Sequence, residues 1–142
     1  MEPEVTESGK RQGGFAESFG DLEVYKLAFA LQQDIFKLSR AWPREEAYSL
    51  TDQIRRSSRS VGACIAEAWG KRRYEAHFFS KLTDADAELN ETLHWLRTSY
   101  TCQYIPLEVC EPLAARIKSI AKMLNRMMAS ASSFCLPNPY RP

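Results

Sequence analysis

The chain has 142 residues, the length of one ordinary domain. Its 44% hydrophobic and 26% charged residues are globular values, and a net charge of +1 singles out no partner. No window approaches the roughly 18 unbroken apolar residues of a membrane span. The opening MEPEVTESGK carries acids and no apolar core, so no secretory signal is expected. Cys64, Cys102, Cys110 and Cys135 form no CxxC pair and read as free thiols of a cytoplasmic protein.

Residues 1–18 are polar and glycine-containing, so a disordered tail is expected there. Asp21 then stands where the N-cap of a first helix is wanted, over residues 22–41. Its inner stripe is Leu22, Tyr25, Ala28, Phe29, Gln32, Ile35, Phe36 and Ser39. Trp42-Pro43 stops it, because the residue before a proline disfavours helix.

A second helix is expected over residues 49–69, with Leu50, Ile54, Ser57, Val61, Ile65 and Ala68 inward. Ser49 and Asp52 have the spacing of a helix-start capping pair. Gly70 stands where a left-handed C-terminal residue is wanted, with Lys71, Arg72 and Arg73 beyond it. Ser58, Ser60, Gly62, Ala63, Cys64 and Ala66 put small side chains nearly all round this helix. Gly62 lowers helix propensity by roughly 1 kcal/mol relative to Ala, so close neighbours on more than one side are expected. A tight monomeric bundle and a contact with a second subunit both meet that requirement.

A third helix is expected over residues 74–100, striped by Phe78, Leu82, Ala85, Leu89, Leu93, Leu96 and Tyr100. Pro106 suits the first turn of a fourth, over residues 106–131. Its stripe is Val109, Leu113, Ile117, Ile120, Leu124, Met127 and Met128. Residues 133–142 read as a proline-rich tail. Four amphipathic helices with short connections predict an all-α, antiparallel up-down-up-down bundle.

The runs LTDQIRRSSRSV and IAEAWGKRRYEAHFFSKL are distinctive, as are FGDLEVY near the start and Trp42-Pro43-Arg44-Glu45-Glu46. Together they resemble the family of four-helix bundles encoded in intervening sequences of large-subunit ribosomal RNA. Many relatives carry Pro-Ala-Asn-Ile-Ala-Glu-Gly where this chain has Gly62 to Ala68; Gly62, Cys64 and Ala68 replace the proline, asparagine and glycine. The resemblance implies a left-handed bundle and a ring-shaped homopentamer. It extends to the accessory protein of diversity-generating retroelements, a basic pentamer that works with a reverse transcriptase and RNA.

Charge alternates by segment: +4 over residues 50–82, −5 over 83–111 and +4 over 112–128. A candidate nucleic-acid surface collects Arg55, Arg59, Lys71, Arg72 and Arg73 with Lys118, Lys122 and Arg126 of the fourth helix. No aromatic platform is interleaved with these cations, so base readout is not expected. A merely solvated face is the bland alternative. Gln53, Arg56, Ser60 and Glu67 lie on a flank of the second helix, and Asp84, Glu88 and Glu91 on a flank of the third. Arg56 is expected to pair with one of those acids; were the pair buried, losing one partner would cost roughly 3–5 kcal/mol. Trp69 and Trp95 fall outside the core stripes and mark a candidate interface.

Glu91-Thr92-Leu93-His94 has di-iron spacing, but no second copy exists, and no metal or other cofactor is expected. Nothing sets a nucleophile against a base, so no catalytic residue is assigned. The expected function is a non-catalytic oligomeric scaffold that binds itself and RNA or an RNA-handling protein. The alternative is a purely protein-binding oligomer.

Overall fold

The computed structural model describes residues 16–137. The tail expected over residues 1–18 therefore lies almost wholly outside the described residues, as does the end of the C-terminal tail. Four long helices are present: α1 (Glu23–Ser39), α2 (Leu50–Gly70), α3 (Glu75–Thr101) and α4 (Leu107–Ala129). A single turn, α5 (Ala131–Phe134), follows α4. Helices adjacent in sequence lie side by side, α1 also meets α4, and α2 and α4 stand across the diagonal. Short connections make neighbours antiparallel, and none of the helices is long and apolar enough to cross a membrane among the described residues.

The seam between α2 and α3 is the most extensive in the bundle. On α3 the buried residues are Phe78, Leu82, Ala85, Leu89, Thr92, Leu96 and Ser99, a strict 3.5-residue repeat. That period keeps one seam facing a partner along about 32 Å of helix, at about 1.5 Å rise per residue. Leu93 and Tyr100, expected inside, are displaced outward by Thr92 and Ser99. The hydroxyls are admitted because each has a partner. Thr92 Oγ1 donates to the Glu88 carbonyl at 2.8 Å and lies 2.9 Å from Ser57 Oγ across the seam. Ser99 Oγ donates to the Leu96 carbonyl at 2.7 Å.

All six residues expected inside α2 are buried, and Thr51, Ser58, Gly62 and Trp69 add a second buried stripe. This second stripe faces α1: a Cβ added at Gly62 would sit 3.4 Å from Tyr25 Cε1. The close neighbour at Gly62 is thus a helix of the same chain. On α1 the core residues are Val24, Ala28, Leu31, Ile35 and Ser39. Tyr25, Gln32 and Phe36 sit on the flank toward α2, and Phe29 is 44% exposed, because a helix with two neighbours buries two narrow stripes rather than one.

The helix ends differ from the expectation in three places. Asp21 does not cap α1; its carboxylate accepts the Glu17 and Ser18 N–H groups at 2.9 and 3.2 Å, closing the preceding turn. Ser49 does not cap α2 either. The 3-10 turn Arg44–Glu46 brings the Glu46 carboxylate back over the helix start, where it accepts Ser49 Oγ at 2.7 Å and the Leu50 N–H at 3.3 Å. Gly70 is not left-handed; Arg72 Nε instead donates to the Trp69 carbonyl at 2.8 Å, satisfying the end of α2. Among the described residues the left-handed one is Gln103, φ 67°, after α3. There Gln103 N–H donates to the Tyr100 carbonyl and Tyr104 N–H to that of Ser99, both at 2.9 Å, closing a Schellman turn.

The chain after α4 also folds back, so the tail expected from residue 133 begins later. Phe134 is 2% exposed and stacks on Phe78, and Leu136 N–H donates to the Arg72 carbonyl at 3.0 Å. At the opposite end of the bundle, Tyr104 OH donates to the second Glu46 oxygen at 2.8 Å, joining the α1–α2 and α3–α4 connections.

The Gly62 contact predicts that Gly62→Ala stabilises the protein by about 0.5–1 kcal/mol, because the methyl fits at van der Waals distance and helix propensity rises. Denaturant unfolding reads this; a lower midpoint would mean that α1 cannot give way.

The Glu46–Tyr104 contact predicts a pH dependence. Hydrogen bonding to the Glu46 carboxylate pushes the Tyr104 phenol up from 10.0 to about 12. The folded value lies above the unfolded one, so this stabilisation is fully present below pH 10 and is lost as pH rises toward about 12. Glu46 moves oppositely: Ser49 and then Tyr104 hold its carboxyl below the usual range, and its contribution is lost as pH falls through that lowered value. The tyrosinate absorbance of wild type minus Tyr104→Phe isolates the phenol. In Glu46→Gln it should titrate much closer to pH 10.

Candidate nucleic-acid interface

The basic residues singled out by the sequence fall in three places. Arg55 and Arg59, one turn apart on α2, reach back to α1. Their Cζ atoms lie 4.8 and 5.5 Å from the centroid of the Phe36 ring. Arg40, at the end of α1, stands 5.7 Å from the same centroid. Arg55 is fixed further: its Nε donates to Ser39 Oγ at 2.8 Å, and Ser39 Oγ donates to the Phe36 carbonyl at 3.0 Å. Burial, followed by repulsion from Arg59 and Arg40, pushes the Arg55 guanidinium below its ordinary value. Arg40 escaped the sequence reading because it belongs to another helix; its position one turn after Phe36 is the signal that was available.

The second place is the α2–α3 turn. Lys71 and Arg73 are exposed there, whereas Arg72 is half-buried, with its Cζ 3.5 Å from the centroid of the Trp69 ring. Arg72 and Trp69 therefore belong to the closure of the bundle end. The third is the outer face of α4, where Lys118, Lys122 and Arg126 are all exposed. Since α2 and α4 are diagonal, one chain does not bring their cations onto a common face.

The flank residues meet between α2 and α3. Arg56 pairs through Nη2 with Glu91, and its Nη1 lies 3.6 Å from Glu88 Oε1. Trp95 Nε1 donates to the same Glu91 oxygen at 3.0 Å. Arg56 and then Trp95 hold the Glu91 carboxyl below its ordinary value. Glu67 meets Lys81, which the sequence reading had not singled out, at 2.7 Å, and Lys81 also lies 3.4 Å from Asp84. Ser60 Oγ donates to the Arg56 carbonyl at 2.9 Å, and Gln53 is half-buried beside them. On the α1–α4 side, Arg116 pairs with Asp34 at 2.8 Å. By contrast, none of the eight candidate nucleic-acid contacts has a carboxylate within ion-pair distance among the described residues.

The Arg56–Glu91 pair is not the buried pair considered from sequence: its side chains are 47% and 33% exposed. A double-mutant cycle of Arg56→Ala and Glu91→Ala should return a coupling of about 0.2–1 kcal/mol that shrinks in high salt. Coupling of several kcal/mol would place the pair in a drier setting than α2 and α3 alone provide.

Comparison with known proteins gives this arrangement relatives. The family model for the 23S rRNA-intervening sequence protein matches residues 20–126, spanning α1 to α3 and most of α4. The chain is also similar to a protein of unknown function from the S23 ribosomal protein family, from Bacteroides thetaiotaomicron VPI-5482. The TM-score with its crystal structure is 0.68, at 30% identity, covering 75% of this chain and 95% of that one. No curated protein matches. With the four-helix architecture and this match over most of its length, the chain belongs to the 23S rRNA-intervening sequence protein family.

Proposed function

We propose that the chain is a non-catalytic, self-associating cytoplasmic scaffold whose unpaired cations bind the phosphate backbone of RNA. One observation carries the reading: the ion pairs sort by place. Arg56, Lys81 and Arg116 each have a carboxylate partner, while the cations of the outer faces have none among the described residues. Unpaired surface cations gain most from a polyanion, because binding releases its condensed counterions. Base reading forms no part of the proposal, since Phe36 is faced by guanidiniums.

Self-association is supported by the ring-shaped homopentamer that the sequence resemblance implies. It is also supported by exposed apolar side chains such as Phe29, Phe79 and Leu107. The same apolar residues favour the second reading, a protein-binding oligomer with no affinity for RNA.

Fluorescence anisotropy of a labelled structured RNA separates the two readings, using protein whose mass in solution has been measured by light scattering. With about four phosphate contacts, affinity should fall about a hundredfold between about 50 and about 200 mM salt. Arg55→Gln/Arg59→Gln and Lys118→Gln/Lys122→Gln should each weaken it further. Absence of binding at the lower salt would sink the RNA reading and favour the protein-binding oligomer.

A further inference from the structure

We propose that Arg40, Arg55 and Arg59 form one phosphate subsite, occupied by a phosphodiester of the RNA backbone. The identity of the phosphate's carrier rests on the RNA reading above; the site itself rests on geometry. Three guanidinium carbons lie between 4.8 and 5.7 Å from one ring centroid. No carboxylate among the described residues pairs with any of them. Arg55 and Arg59 stand four apart on α2, a spacing at which like charges destabilise a helix.

Three local features moderate the repulsion without removing it; one is Asp52, which attracts the Arg55 guanidinium from beyond ion-pair distance. The Phe36 ring attracts each cation. The C-terminus of α1, ending at Ser39, presents about half a negative charge, against three positive ones. A phosphate at this point would accept hydrogen bonds from several guanidinium forks, for which planar arginine is well suited. Arg55 is already oriented for that use. Its Nε is committed to Ser39 Oγ, and its Nη groups make no hydrogen bond among the described residues. The Phe36 ring is shared by all three guanidiniums, so the expected ligand is backbone phosphate and not a stacked base.

The test uses the exposed members Arg40 and Arg59, whose loss should leave the fold intact. Arg40→Gln/Arg59→Gln removes the same charge as a control, Lys26→Gln/Lys37→Gln, on exposed lysines of α1. In RNA titrations across salt, the arginine variant should lower the slope of log affinity against log salt by about two. The lysine control should change it by less than one. Equal slopes in the two variants would overturn the subsite while leaving RNA binding standing. Separately, tripolyphosphate is titrated into nitrogen-labelled protein while the arginine Nε–Hε signals are followed. Saturable shifts of Arg40, Arg55 and Arg59 together, with Arg126 unmoved, support the subsite. Uniform or non-saturating shifts refute it. Saturation by tripolyphosphate without RNA binding would keep the site, make free oligophosphate its ligand and remove the RNA reading.

Discussion

The bundle depends on α2 being a shared wall. It buries one stripe against α3 and a second, of Thr51, Ser58, Gly62 and Trp69, beside α1. Two adjacent stripes leave little room for bulk, which accounts for the small residues that encircle the helix. What remains open is a narrow strip. Asp52, Arg56, Arg59, Ala63 and Glu67 lie exposed along it, with Arg55 partly covered at its edge. Packing on two sides thus concentrates the charge of α2, and the position of its arginines follows from the core rather than from an independent surface.

The same constraint sorts the carboxylates. Acids on α3 sit beside the α2 strip, so Glu88 and Glu91 meet Arg56, while Asp84 shares Lys81 with Glu67. These pairs are half-exposed and each contributes little to stability. Their larger effect is allocation. Acids engaged on the α2–α3 side are not available to Arg40, Arg55 or Arg59 on the α1 side, nor to the diagonal cations of α4. The alternating segment charges of the sequence are therefore neutralised at one seam and left unbalanced elsewhere.

Features carried by one helix were legible in the sequence. The six-residue inner stripe of α2 and the placement of α3 acids opposite Arg56 follow from helical spacing alone. Features made by two segments were not. Glu46 replaces Ser49 at the start of α2 because a 3-10 turn carries its carboxylate back, which no capping pattern encodes. Arg72 replaces a left-handed Gly70 because a guanidinium can reach the last carbonyls. Thr92 and Ser99 displace the more hydrophobic Leu93 and Tyr100 because a 3.5-residue seam outweighs single-residue hydropathy once the hydroxyls have partners. Phe134 looked like tail because its partner, Phe78, is remote in sequence. Arg40 was overlooked for the same reason: its significance lies in a ring that it shares with α2.

The diagonal relation of α2 and α4 bears on how such a chain would hold a long anion. A single copy offers its arginine cluster at one corner and Lys118, Lys122 and Arg126 at the opposite one, so a short strand cannot follow a straight path across both. Under the proposed self-association, every copy contributes both corners, and symmetry sets cations from different copies at fixed separations. Weak phosphate contacts then add through effective concentration rather than through the strength of any one site. A near-neutral chain is compatible with that mode of binding. Glu88 and Glu91 are engaged at the α2–α3 seam while the cations of α2 and α4 repeat outward, so local potential, and not net charge, governs the encounter with a polyanion.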